Sequence, residues 1–77
     1  MAPNSESAFG RIVRRRRKAL GLSQEALAAE ADLHRTFVSM IERGERRPSL
    51  EVVRKLASGL DTSAADLVAE LEREAPR

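Results

Sequence analysis

The sequence predicts an all-α chain, a bundle of five helices with no strand, and three observations predict it. Apolar residues recur three and four positions apart along most of the chain, the spacing of one helix face. Gly21, Gly44 and Pro48 fall between these periodic stretches, where helices end. Ser23, Ser49 and the pair Thr62 and Ser63 stand just before such stretches, where a hydroxyl caps a helix N-terminus. Seventy-seven residues hold a single domain, residues 1–77, with a small core.

The first helix is expected over about Glu6 to Leu20, stopped by Gly21 at the position after its C-cap. The second runs from about Gln24 to Ala31 with Ser23 as N-cap, and presents Leu27, Ala28 and Ala31 as its buried stripe. Asp32 falls in the turn, where the backbone is expected at positive φ. The third helix covers about Arg35 to Arg43, with His34 just before it and Gly44 ending it. A loop, residues 45–48, leads to Ser49, which caps a fourth helix over about Leu50 to Leu60. Thr62 or Ser63 caps the fifth, about Ala64 to Glu74, and Ser63 with Asp66 resembles a capping box. Residues 1–5 and 75–77 are expected to fray. With only two aromatics, Phe9 and Phe37, the expected core is mainly aliphatic: Phe9, Val13, Leu20, Leu22, Leu27, Ala31, Leu33, Val38, Ile41, Leu50, Val53, Leu56, Leu60 and Leu67.

The net charge of +2 hides an asymmetry. Residues 1–47 hold ten Lys and Arg against six Asp and Glu, whereas residues 48–77 hold four against six. Neutralising phosphates with Lys and Arg supplies most non-specific affinity for nucleic acid, so the first half is the half suited to it.

Composition excludes several classes. No cysteine means no disulfide, no thiolate zinc site and no cysteine nucleophile. One histidine, no tyrosine and no glycine-rich phosphate loop leave no catalytic constellation, so no enzyme is expected, and no metal or other cofactor. No apolar run of membrane-spanning length exists, and the polar start MAPNSES is no secretory signal. A soluble cytoplasmic protein is the expectation.

The segment Ser23 to Gly44 reads as a short helix, a tight turn and a second short helix. The second helix keeps Val38 and Ile41 inward, while His34, Arg35, Thr36, Ser39 and Arg43 face outward. An exposed face of hydrogen-bonding side chains suits the DNA major groove, whose base edges offer donors, acceptors and thymine methyls.

With its pieces GLSQEALA, LHRTFVSMIERGERRPSL and VVRKLASGL, the chain resembles the Xre or Cro/repressor-type helix-turn-helix family over roughly residues 9 to 72. The second piece looks especially like the controller proteins of restriction-modification systems. The resemblance implies a lambda-repressor-like DNA-binding bundle with a central helix-turn-helix, about residues 23–44. It departs at Asp32, where glycine is commonest, although Asp tolerates the left-handed region better than most residues.

The resemblance also implies roles. Arg35, Thr36 and Ser39, on the first turns of the recognition helix, become the base-contacting candidates. Arg35 suits guanine O6 and N7, Thr36 offers a hydroxyl and a methyl, and Ser39 a hydroxyl. Ser23, Gln24, His34, Phe37, Arg43, Arg46 and Arg47 are the candidates for the DNA backbone or its vicinity. Gln24 opens a helix, where free N–H groups and the dipole favour an anion. Phe37 lacks the hydroxyl that relatives often carry there, and either packs on a thymine methyl or sugar or joins the core. Met40 either touches a base methyl or is merely exposed. Arg17 shares the inward side of its helix with Val13 and Leu20, and in the family an arginine there forms a structural ion pair with the glutamate corresponding to Glu42. The rest of the run Arg14-Arg15-Arg16-Arg17-Lys18 is either a solvated face or supplies one or two cations to DNA.

The fifth helix, about residues 63–74, is assigned to dimerisation. Ala64, Val68 and Leu71 lie on one stripe, with more apolar surface than the domain needs. The expected partners are double-stranded DNA and a second copy of the chain, with no membrane and no small-molecule ligand. A homodimeric transcriptional regulator acting on a pseudo-palindromic operator follows. The alternative is an antitoxin-like or adaptor protein whose main partner is another protein.

Overall fold

The computed structural model describes residues 5–74, and these form five helices: α1 (Ser5–Ala19), α2 (Gln24–Ala31), α3 (Arg35–Glu42), α4 (Leu50–Gly59) and α5 (Ala64–Glu74). Of residues 1–5 and 75–77, expected to fray, Ser5 instead opens α1, and residues 1–4 and 75–77 lie outside the described residues. Each predicted element exists, with ends shifted by at most one residue.

The caps explain where the helices start. Ser23, Ser49 and Ser63 each place Oγ to accept from a backbone N–H three residues on, at Ala26, Val52 and Asp66. Of the two candidates before α5, Ser63 is therefore the cap, while the Thr62 hydroxyl donates to the Asp66 carboxylate at 3.2 Å. Gly21 and Gly44 terminate α1 and α3 at φ 73° and 74°, in the left-handed region that glycine enters without strain.

The helices pack as a closed ring of neighbours, α1 on α3, α3 on α2, α2 on α4, α4 on α5 and α5 back on α1. The ring encloses Phe9, Ile12 and Val13 from α1, Leu27, Ala28 and Ala31 from α2, and Val38 and Ile41 from α3. Val53, Leu56, Ala57, Leu60 and Leu67 close it from the α4–α5 side.

Two expected core residues are surface residues. Leu20 sits one position beyond α1, in the turn, and is exposed. Leu50 is 81% exposed. Helical side chains lean toward the N-terminus, so one at the first position projects past the end of its helix instead of onto its neighbours. Leu22 and Leu33 are only half-buried. Ala8, Ile12 and Ala57 join the core beyond those expected.

Candidate nucleic-acid interface

The turn between α2 and α3 sets the relation of the two helices. Asp32 stands at φ 56°, ψ 50°, the left-handed conformation, and its N–H reaches back to the carbonyls of Ala28 and Ala29. The Leu33 N–H donates to Ala28 O at 2.9 Å, so the α2 carbonyls are satisfied before the chain turns. His34 then caps α3: its Nδ1 accepts from the Thr36 N–H at 3.2 Å. That bond leaves Nε2 as the ring's remaining hydrogen-bonding atom.

On the outer face of α3, Arg35 and Thr36 are exposed and Ser39 is half-buried. With Gln24 from α2 and Arg43 they line one shallow cleft of about 240 Å³. A second cleft, walled by Arg14, Arg17, Gln24, Ser39, Glu42 and Arg43, shares Gln24, Ser39 and Arg43 with the first. The two form a continuous surface from the N-terminal turn of α3 to the side of α1.

Behind that surface lies an ion pair. Arg17 donates from Nε to Glu42 Oε2 at 2.6 Å and from Nη2 to Glu42 Oε1 at 3.0 Å. Its Nη1 donates to the Leu22 carbonyl at 2.8 Å. The side chains are 10% and 3% exposed, so this is a bidentate pair taken out of water. Glu42 also accepts from Gln24 Nε2 at 3.1 Å, so one carboxylate ties together α1, the start of α2 and the end of α3. The Gln24 amide keeps its second N–H, and in the first turn of α2, where Ser23 takes the Ala26 N–H, the Gln24 and Glu25 backbone donors are left over among the described residues.

The remaining cations diverge. Arg43 meets Glu45 through Nε and Nη2, both at 3.0 Å, and donates from Nη1 to the Ser39 hydroxyl. The hydrogen bond from Arg43 holds the Glu45 carboxyl below its ordinary range. Arg46 lies over the Phe37 ring, 5.4 Å from its centroid, a cation–π arrangement. Phe37 is half-buried and packs against the core, with one side of its ring left to that guanidinium. Met40 is half-buried. Arg47 turns instead toward α1 and donates to Glu6 at 2.7 Å. It helps line an apolar hollow of about 320 Å³ whose other walls include Phe9, Val53, Val68 and Leu71. Val68 is 43% exposed there. Ala64 and Leu71 are partly buried and pack against the core.

Four participants had weak sequence signals. Glu45 reads as an ordinary loop charge. Glu70 and Glu74, four apart on α5, receive Arg15, and Glu70 also receives Arg16 Nε at 2.8 Å. An i, i+4 carboxylate pair facing a basic helix was the available sign of that clamp. Gly10 reads as a weak spot in a helix but is a point of contact between α1 and α3.

The helix-turn-helix family pattern matches residues 13–67. The chain belongs to this family. It is 44% identical over 69 residues to the control protein C.BamHI of Bacillus amyloliquefaciens, covering 88% of this chain and 85% of the relative. It is 40% identical over 67 residues to the control protein C.MunI of a Mycoplasma species, covering 86% and 90%. The crystal structure of the restriction-modification controller protein C.AhdI from Aeromonas hydrophila superposes with a TM-score of 0.78 at 44% identity, covering 80% of this chain and 94% of that one. The protein is thus a helix-turn-helix DNA-binding regulator homologous to restriction-modification control proteins. Among the described residues no helix is long and apolar enough to cross a membrane.

Proposed function

We propose that the protein is a homodimer that reads a pseudo-palindromic operator in bacterial cytoplasm and controls transcription of a restriction-modification system. The observation that carries this reading is the convergence of Arg35, Thr36 and Ser39 with Gln24 and Arg43 on one cleft across α2 and α3. Arg35 and Thr36, exposed on the first turn of α3, meet base edges, and Ser39 follows one turn later. Ser23, Gln24 and His34 hold phosphates at the two helix N-termini. Arg43 and Arg46 flank the groove, with Phe37 beside the sugar-phosphate backbone under Arg46. Arg47 is the outlying member of this set, since it pairs with Glu6.

The dimer rests on α5. Val68 is exposed although apolar, and with Leu71 it borders the apolar hollow beside Phe9 and Val53. Ala64, one turn before Val68, supplies a small residue where two helices can approach closely. One recognition helix reads only a few base pairs, so two half-sites about one helical turn apart multiply specificity. The regulator needs no cofactor and carries out no catalytic step.

Selection from a randomised duplex pool tests this reading. Two inverted half-sites about one helical turn apart are expected. An enriched half-site without an inverted repeat would overturn the dimer, and no enrichment would overturn the sequence-reading role.

A further inference from the structure

We propose that Arg14, on α1, is a DNA phosphate contact, and that it is the member of the Arg14-to-Lys18 run that the fold reserves for this task. The inference rests on the DNA-reading function above and adds a helix outside the helix-turn-helix to the interface.

The fold sorts the run. Arg15 is taken by Glu70 and Glu74 of α5, and Arg16 by Glu70. Arg17 is taken by Glu42 and the Leu22 carbonyl. Three consecutive guanidiniums are therefore held by protein acceptors. Arg14 is exposed, and no described residue accepts from it. Lys18 is exposed too, but it does not line the cleft.

Position completes the argument. Arg14 stands three residues before Arg17, on the same side of α1, and so faces the cleft that Arg17 backs. That cleft is also walled by Gln24, Ser39 and Arg43, which belong equally to the cleft of Arg35 and Thr36. Its carboxylate, Glu42, is already engaged by Arg17 and Gln24. Arg14 thus leaves an uncompensated positive charge at the edge of the surface offered to the groove, one helix behind the recognition helix. A cation at that edge meets the strand's phosphodiesters and not the base edges.

The test compares full-length wild type, Arg14→Gln and Arg15→Gln on one operator duplex and one random duplex, with affinity measured across a salt series. Arg14→Gln should lose affinity by the same factor on both duplexes, and its slope of log K against log salt should be shallower by about one. Its melting temperature should equal that of wild type. Arg15→Gln should do the reverse, melting lower with the wild-type slope. Arg14→Gln with an unchanged slope, beside a wild type that binds DNA, overturns the assignment and leaves the DNA-reading function standing. A loss confined to the operator also overturns it, because Arg14 would then read bases. A wild type with no salt-dependent binding overturns the function itself.

Discussion

Arg17 and Glu42 meet through two parallel hydrogen bonds, 2.6 and 3.0 Å long, and join α1 to the last residue of α3. Removing either partner strands a charge that is almost out of water. Arg17→Ala and Glu42→Ala should each destabilise the fold by about 3–5 kcal/mol, and the double variant by much less than their sum. Arg17→Lys should not rescue, because an ammonium cannot reproduce the fork. Urea melts of wild type and the four variants check this, and additive effects below about 1 kcal/mol would contradict the pairing.

Gly10 gives a prediction whose sign runs against helix propensity. Alanine is better than glycine inside a helix by about 1 kcal/mol, so Gly10→Ala would ordinarily stabilise. A Cβ on Gly10, however, would stand 2.4 Å from the Ile41 carbonyl oxygen and 2.7 Å from that of Glu42. Both are backbone atoms and cannot swing away. Gly10→Ala should therefore lower the melting temperature, with a net loss of about 1–3 kcal/mol. A rise would mean that α1 and α3 stand further apart.

The clamp between α1 and α5 should make stability sensitive to acid. Arg15 first, and then Arg16, hold the Glu70 carboxyl below its ordinary value of 4.5 by hydrogen bonding to its charged form. A carboxyl depressed in the folded state contributes its full stability above the ordinary value and loses it as pH falls through the lower folded value. Urea midpoints of wild type should fall as pH is lowered from about 5 towards 3, and Glu70→Gln should flatten that part of the fall. Identical acid profiles for the two proteins would show that Glu70 does not carry the effect.

Assembly is read through Val68, which is exposed and so leaves the core intact when changed. Val68→Asp should shift the protein toward monomer in sedimentation equilibrium with its helical circular dichroism unchanged, since it would bury an unpaired carboxylate in an apolar seam. Leu71→Asp is a less clean probe, because Leu71 also packs against the core. A monomeric wild type at micromolar concentration would contradict the dimer.

The helices and their caps were legible because each depends on local chemistry: a hydroxyl at Ser23 or Ser49, a glycine at Gly21 or Gly44, and the apolar spacing between. Asp32 was legible for the same reason, since few residues besides glycine enter its conformation so readily. The misplaced residues depend on where their own helix ends or on what lies beyond it. Leu20 and Leu50 keep the periodicity of a buried face but fall at the ends of their own helices, Leu20 one position past α1 and Leu50 at the first position of α4. Arg15 and Arg16 look like Arg14 in sequence, and only the approach of α5 separates them. Arg47 sits next to Arg46 yet meets a different helix, Glu6 of α1 where Arg46 meets Phe37 of α3, a difference set by how the chain packs and not by the local sequence.

The most direct measurement of the central idea, that the outer face of α3 reads bases, is the affinity of wild type and Arg35→Ala for the selected operator, for operators changed singly at each position, and for random DNA. Arg35→Ala should lose about 1–3 kcal/mol on the operator and lose discrimination at one base pair per half-site, with little change on random DNA. Arg46→Ala, as the comparison, should weaken all sequences alike. An equal loss on operator and random DNA for Arg35→Ala, with discrimination intact at every position, would contradict it.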